Sequence, residues 1–314
     1  MSPRRFFKCL SPFLAALLAC NLVTGLAPAT PADGTPQARP TLAAATTHPG
    51  ATQPAVPPAG TSGTVYYVRL DGGSPEQCSG LVDAAYPGSG TSQPCAWDHP
   101  FRALPPGEAP RILGGDTLIV GSGSYRMGYG APGAETCEEG GSFDCLMAPL
   151  PSGPDPAHPT RLLGAGWEAG CGSPPKLWGA ERPWFIVNLT DASNVEVACF
   201  EITDHSGCIE EHTGGLACQR DEPPYGDWAS FGLYAEDSAN VLLRDLNIHG
   251  LAAGGVHAGR LADWTIENVR IAGNGSVGWE GDLWDDLGDA NSGSLVFRHW
   301  LVEWNGCGET YPGG

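Results

Sequence analysis

Three side chains able to move protons recur at one spacing in the C-terminal third of the sequence. Tyr234, His257 and Glu280 lie 23 residues apart, and Asn188 stands two such intervals before Tyr234. Phenol, imidazole and carboxyl groups are the usual general acids and bases. Glu236 and Asp282 each follow two residues later, with Gly259 in the equivalent place after His257. If 23 residues make one turn of a repeating strand structure, each set becomes a column with a step of about 4.8 Å. The alternation of a strand then turns Val187, Leu233, Val256 and Trp279 toward a core and the polar column away from it. A solvated polar face is the competing reading of that column.

A second cluster follows Glu280. Asp282, Asp285, Asp286 and Asp289, with Asn291, are the densest acidic stretch in the sequence. Oxygen ligands packed this closely suit calcium, although the spacing matches no standard calcium loop, and a solvated acidic turn is the reading the spacing favours. A calcium ion there would neutralise substrate carboxylates and acidify a sugar C5 proton. No Cys/His spacing suits zinc, and no glycine-rich phosphate loop joins a strand to a helix. The net charge of −19 excludes the basic footprint of a nucleic-acid binder.

The elements that must position these groups are strands. Segments are short, β-branched and punctuated by Gly, Asn and Asp, without helical periodicity. Residues 232–250 and 255–273 repeat at an offset of 23, pairing Leu233 with Val256, Leu243 with Ile266, Leu246 with Val269 and Ile248 with Ile271. A third copy begins at Gly278 and resumes at Leu295–Val302 after an insertion. An earlier copy runs Val187–Thr203, followed by a loop over 205–230 with no strand pattern. One unit holds three short strands, Leu233–Glu236, Val241–Arg244 and Leu246–His249, with a sharp bend at Asp245. One such turn cannot bury its inner face, whereas stacked turns can. An antiparallel sandwich is the alternative. The recurrence of a polar bend residue in register (Asp245, Asn268, His299) favours the solenoid. Arg244, Glu267 and Arg298 also fall in register and predict a structural ion-pair ladder.

The repeats resemble the right-handed parallel β-helix of the pectate-lyase-like superfamily. The N-terminal part adds to this. Tyr66-Tyr67-Val68, Pro100-Phe101-Arg102-Ala103-Leu104, Gly115-Asp116-Thr117-Leu118-Ile119-Val120 and Gly123-Ser124-Tyr125 resemble its entry segment. Pro159–Gly164 resembles the next coil. The expected fold class is therefore all-β, a solenoid of about 23-residue, three-strand coils with loop insertions. In resembling enzymes the substrate cleft runs along such a sheet face, walled by long loops. That implies Tyr234, His257, Glu280 and Asp282 as catalytic candidates, and Asn188 and Glu236 as substrate-binding ones. Several such lyases use a Lys with an Arg. Beyond the leader only Lys176 remains, so Arg260, nearest the candidate face, is the implied base. The Gly-His-Gly motif of polygalacturonase-like hydrolases is missing. The resemblance implies a polysaccharide lyase, hydrolase or epimerase, with a non-catalytic glycan-binding or structural surface protein as the alternative.

The remaining segments frame this domain. Arg4, Arg5 and Lys8 precede an apolar run over 9–20, the pattern of an export signal. It ends either at a lipobox-like Leu17-Leu18-Ala19-Cys20, with Cys20 lipidated, or at Ala27-Pro28-Ala29. Residues 21–62, with Pro, Ala and Thr at 26 of 42 positions, read as a disordered linker. The domain is then 63–314. Without Arg4, Arg5, Lys8, Arg39 and Asp33 it carries 12 basic and 34 acidic residues, a charge of −22. Nine cysteines follow the leader, and an exported chain oxidises them. Local pairing predicts Cys78–Cys95, Cys137–Cys145 and Cys208–Cys218, less firmly Cys171–Cys199, and leaves Cys307 over. That odd cysteine and an uncapped last rung predict a domain truncated at its C-terminal end. The expected partner is a polysaccharide, with no nucleic acid, membrane contact only through a lipid on Cys20, and a monomeric state.

Overall fold

A computed structural model of the protein describes residues 63–285 and 287–306. The leader with Cys20, the linker, Asp286 and Cys307 lie outside the described residues.

The described residues are all-β, and every paired strand is parallel. One sheet orders β1 (Val65–Gly73), β2 (Thr117–Val120), β4 (Thr160–Gly164), β7 (Ser193–Asp204), β9 (Ala239–His249), β11 (Ala262–Ala272) and β13 (Ser292–Arg298). Beside that path, β3 (Ser124–Met127) joins β5 (Lys176–Gly179), which joins β7, and β14 (Leu301–Glu303) joins β11. A second, four-stranded sheet orders β6 (Phe185–Asn188), β8 (Phe231–Glu236), β10 (Gly254–Gly259) and β12 (Val277–Glu280). This architecture is compatible with a parallel β-helix. No helix among the described residues is long and apolar enough to cross a membrane.

The register follows the 23-residue interval. Leu233 pairs with Val256, Leu243 with Ile266, Leu246 with Val269 and Ile248 with Ile271. Leu233, Val256, Leu243, Ile266, Ile248 and Ile271 are all fully buried. Each buried aliphatic side chain of this size contributes about 1.5–3 kcal/mol, and stacking like on like leaves few voids. Glycine serves the same packing at Gly232 and Gly255. A Cβ at either would drive into the isoleucine of its own turn, Ile248 or Ile271.

The second and third strands of each expected unit form one continuous strand with a kink. β9 runs through Asp245, whose φ is +54°, and β11 through Asn268, at +58°. A single left-handed residue swings the chain direction while the ladder resumes on either side. Asn and Asp tolerate that conformation best. Asn268 Nδ2 also donates to Asp245 Oδ1 at 2.9 Å, linking successive kinks. The column starts one turn earlier than the repeat revealed, at Cys199 (φ +66°), and ends at His299 (φ +50°).

The ion-pair ladder is a correction. Glu267 is in register with Arg244 and Arg298, but Arg244 directs its guanidinium to Glu196 at 2.7 Å and Asp245 at 3.3 Å. Glu196 also takes Arg161 at 2.9 Å. Glu196 is 7% exposed, and a nearly buried carboxylate gains more from two cations than an exposed one does.

Four disulfides close loops: Cys78–Cys95, Cys137–Cys145, Cys171–Cys199 and Cys208–Cys218. All four expected local pairs form. They suggest an oxidising environment, as export would provide.

Candidate functional site

The outer face of the four-stranded sheet holds the polar column. Asn188 pairs with Tyr234, Tyr234 with His257, and His257 with Glu280. Glu236 pairs with Gly259 in the adjacent column. The predicted juxtaposition of these residues is therefore present.

Their surroundings differ from an open polar face. Tyr234 is 5% exposed and His257 is fully buried. Phe185 stacks on the Tyr234 ring at 4.9 Å, and Trp184 packs on it at 4.8 Å. His257 is enclosed by Phe231 at 4.9 Å, Trp284 at 4.7 Å and Trp184 at 5.9 Å. The column position specified a face. Trp184, just before β6, and Trp284, from the insertion after β12, then cover that face. Buried aromatic area is worth more than exposure of the rings to water.

Each covered polar side chain has at least one structural partner. His257 Nε2 donates to the Asp282 carbonyl at 2.6 Å. Because a carbonyl only accepts, Nε2 carries a proton. Nδ1 is buried with no hydrogen-bond partner. The Tyr234 hydroxyl donates to Glu236 Oε2 at 3.0 Å. Burial first, and Glu236 second, push the Tyr234 phenol above its ordinary range. Asn188 donates to the Met147 carbonyl and accepts from the Thr190 amide.

Arg260 ties the insertion to the sheet. Its guanidinium reaches Asp237 at 2.9 Å, Glu236 at 3.1 Å and Asp285 at 2.9 Å. It also donates to the Gly288 carbonyl at 3.2 Å. Its hydrogen bonds to Asp237 and Asp285 hold it firmly protonated.

The acidic insertion uses its carboxylates as turn caps. Asp282 Oδ1 accepts the Trp284 amide, Asp285 Oδ1 the Leu287 amide and Asp289 Oδ1 the Leu283 amide. The Leu287 amide, and then Arg260, hold the Asp285 carboxyl below its ordinary range. Among the described residues no three acidic, His or Cys side chains converge to hold a metal ion.

A cleft opens over the same sheet, above and beside this buried layer, with a volume of about 230 Å³. Phe143, Trp184, Phe231 and Trp284 supply its apolar walls, and Glu210, Glu211 and Glu280 its carboxylates. Of the predicted catalytic residues only Glu280 lines it. Trp284 is 61% exposed and adopts φ +58°. A bulky side chain in the left-handed region is held there by its surroundings, here the cap from Asp282 and the brace through Arg260. Burial raises the Glu210 carboxyl above its ordinary range, offset in part by the Ser230 hydroxyl and by Arg220. Arg220 itself pairs with exposed Glu211 at 3.4 Å.

Glu210 and Glu211 come from the 205–230 loop, which has no long strand and is pinned by Cys208–Cys218 and the Ile209–Ala217 bridge. The sequence placed that loop beside the face but offered no column to mark its two glutamates. Phe143 and Trp184 lie outside the 23-residue repeat, so periodicity was silent about them. The aromatic richness of the loops was the available signal.

No protein-family model, curated protein or solved structure matches this chain.

Proposed function

We infer that this protein is an exported right-handed parallel β-helix of the pectate-lyase-like kind, which takes a polysaccharide in the cleft over its four-stranded sheet. The observation that carries this reading is the cleft lining. Aromatic faces accept the C–H faces of sugar rings, and carboxylates accept hydrogen bonds from sugar hydroxyls. The parallel register at 23-residue intervals supports the fold, and the leader and disulfides support export.

Among the reactions the resemblance implies, hydrolysis fits these residues best. Glycoside hydrolysis needs a carboxyl group kept protonated beside a second carboxylate. Glu210, raised by burial, is the candidate proton donor to the glycosidic oxygen, and Glu280 the candidate base or nucleophile. A lyase needs a free base near the sugar C5 proton, and Arg260 is engaged by three carboxylates. Calcium would enter through the acidic insertion.

A second reading, a surface-tethered glycan-binding protein without turnover, draws on the covering of Tyr234 and His257. One experiment separates the readings. The full chain is incubated with a panel of polysaccharides, with and without calcium, following reducing ends and the absorbance of unsaturated ends. New reducing ends without that absorbance support hydrolysis. Unsaturated ends appearing only with calcium would replace it by a lyase. Binding without either product selects the second reading.

A further inference from the structure

We propose that the cleft selects a glycan bearing free amines, a polymer of de-N-acetylated hexosamine, over a uronate polymer. This rests on the carbohydrate reading above and names its substrate class.

Glu210 and Glu280 line the cleft and form no ion pair among the described residues, and no Lys or Arg lines it. Glu211 keeps its arginine on the solvent side, where both groups are largely exposed. A uronate would bring further carboxylates against these, on a domain whose net charge is already −22. An ammonium group meets the opposite situation. The faces of Trp184, Trp284 and Phe231 attract cations through their quadrupoles, and the nearby carboxylates add to the attraction.

Ser230 lines the cleft at 1% exposure, and its hydroxyl lies beside the Glu210 carboxyl. Trp284, strained and exposed at the rim, is held at the place where a sugar enters.

The test is tryptophan fluorescence titration of the full chain with a glucosamine oligomer, its N-acetylated counterpart and a galacturonate oligomer. The glucosamine oligomer is expected to bind about tenfold more tightly than the N-acetylated one. That gap should narrow between about 0.1 M and about 1 M salt as charges are screened. Galacturonate should bind weakest. Glu280→Gln, with an unchanged melting temperature, should weaken glucosamine binding by a larger factor than N-acetylated binding. Trp284→Ala should weaken both, and the glucosamine oligomer by the larger factor, because the ring also holds the ammonium group. Equal or tighter binding of the N-acetylated or galacturonate oligomer overturns the amine preference and leaves the carbohydrate reading standing. A lysine oligopeptide that competes as well as the glucosamine oligomer overturns the sugar assignment. Failure of all of these oligomers to bind removes the carbohydrate reading and the preference with it.

Discussion

His257 Nε2 donates its proton to the backbone carbonyl of Asp282 at 2.6 Å, joining the middle of β10 to the start of the acidic insertion. The bond holds a proton on Nε2, and the rings of Phe231 and Trp284 close over the imidazole. His257→Ala removes a fully buried ring from an aromatic cluster and frees the insertion. The expected loss is about 3 kcal/mol of stability, the range for deleting a buried ring. Chemical denaturation reads it directly, and a loss below about 1 kcal/mol would show that the ring is not part of the packed layer.

Loop 205–230 carries two of the three cleft carboxylates and is pinned by Cys208–Cys218. Replacing both cysteines with serine should cost about 2–3 kcal/mol by the chain-entropy account of loop closure. Glycan affinity should fall as well, because Glu210 and Glu211 lose their fixed position. Unaltered affinity in the double variant would mean that the loop does not shape the cleft.

Asp204, at the end of β7, is 7% exposed, and burial pushes its carboxyl up to about 8. The amides of Ala229 and Ser206, which it accepts, oppose that shift without overcoming it. Between the ordinary value of 3.8 and about 8 the folded protein holds a proton that the unfolded chain has released. This group's contribution to stability therefore falls as pH rises through that window, by at most about 1.4 kcal/mol per pH unit, and levels off above it. Asp204→Asn should flatten that part of the profile. Melting curves of both proteins across the window check it, and parallel profiles would refute the assignment.

The kink column makes a backbone prediction. Asn268 is exposed and left-handed, so its side chain makes little packing contribution. Asn268→Val should cost about 1–2 kcal/mol, the penalty for a β-branched residue in that conformation. Asn268→Gly should cost only a few tenths, from the lost hydrogen bond to Asp245. Equal losses in the two variants would argue against backbone strain as the cause.

Particular residues show how far the sequence could be read. The parallel pairing of Leu233, Leu243, Leu246 and Ile248 with Val256, Ile266, Val269 and Ile271 was legible because each turn repeats the same environment. The kink at Asp245 was legible because few residues tolerate a left-handed backbone. Arg244 was placed correctly and given the wrong partner. A long flexible side chain reaches past its register neighbour to the more buried carboxylate of Glu196.

The sequence by itself determined the repeat length, the inward ladders, the bend column and the local disulfide pairs. Each depends on residues near in sequence or on one recurring interval. Only the tertiary structure decided that Tyr234 and His257 lie under a layer of rings and that the cleft belongs to Glu210, Glu280, Trp184 and Trp284. A column position states which face of a sheet a side chain occupies. What covers that face comes from segments outside the repeat, and their approach is set by the burial of aromatic surface, which has no period to read.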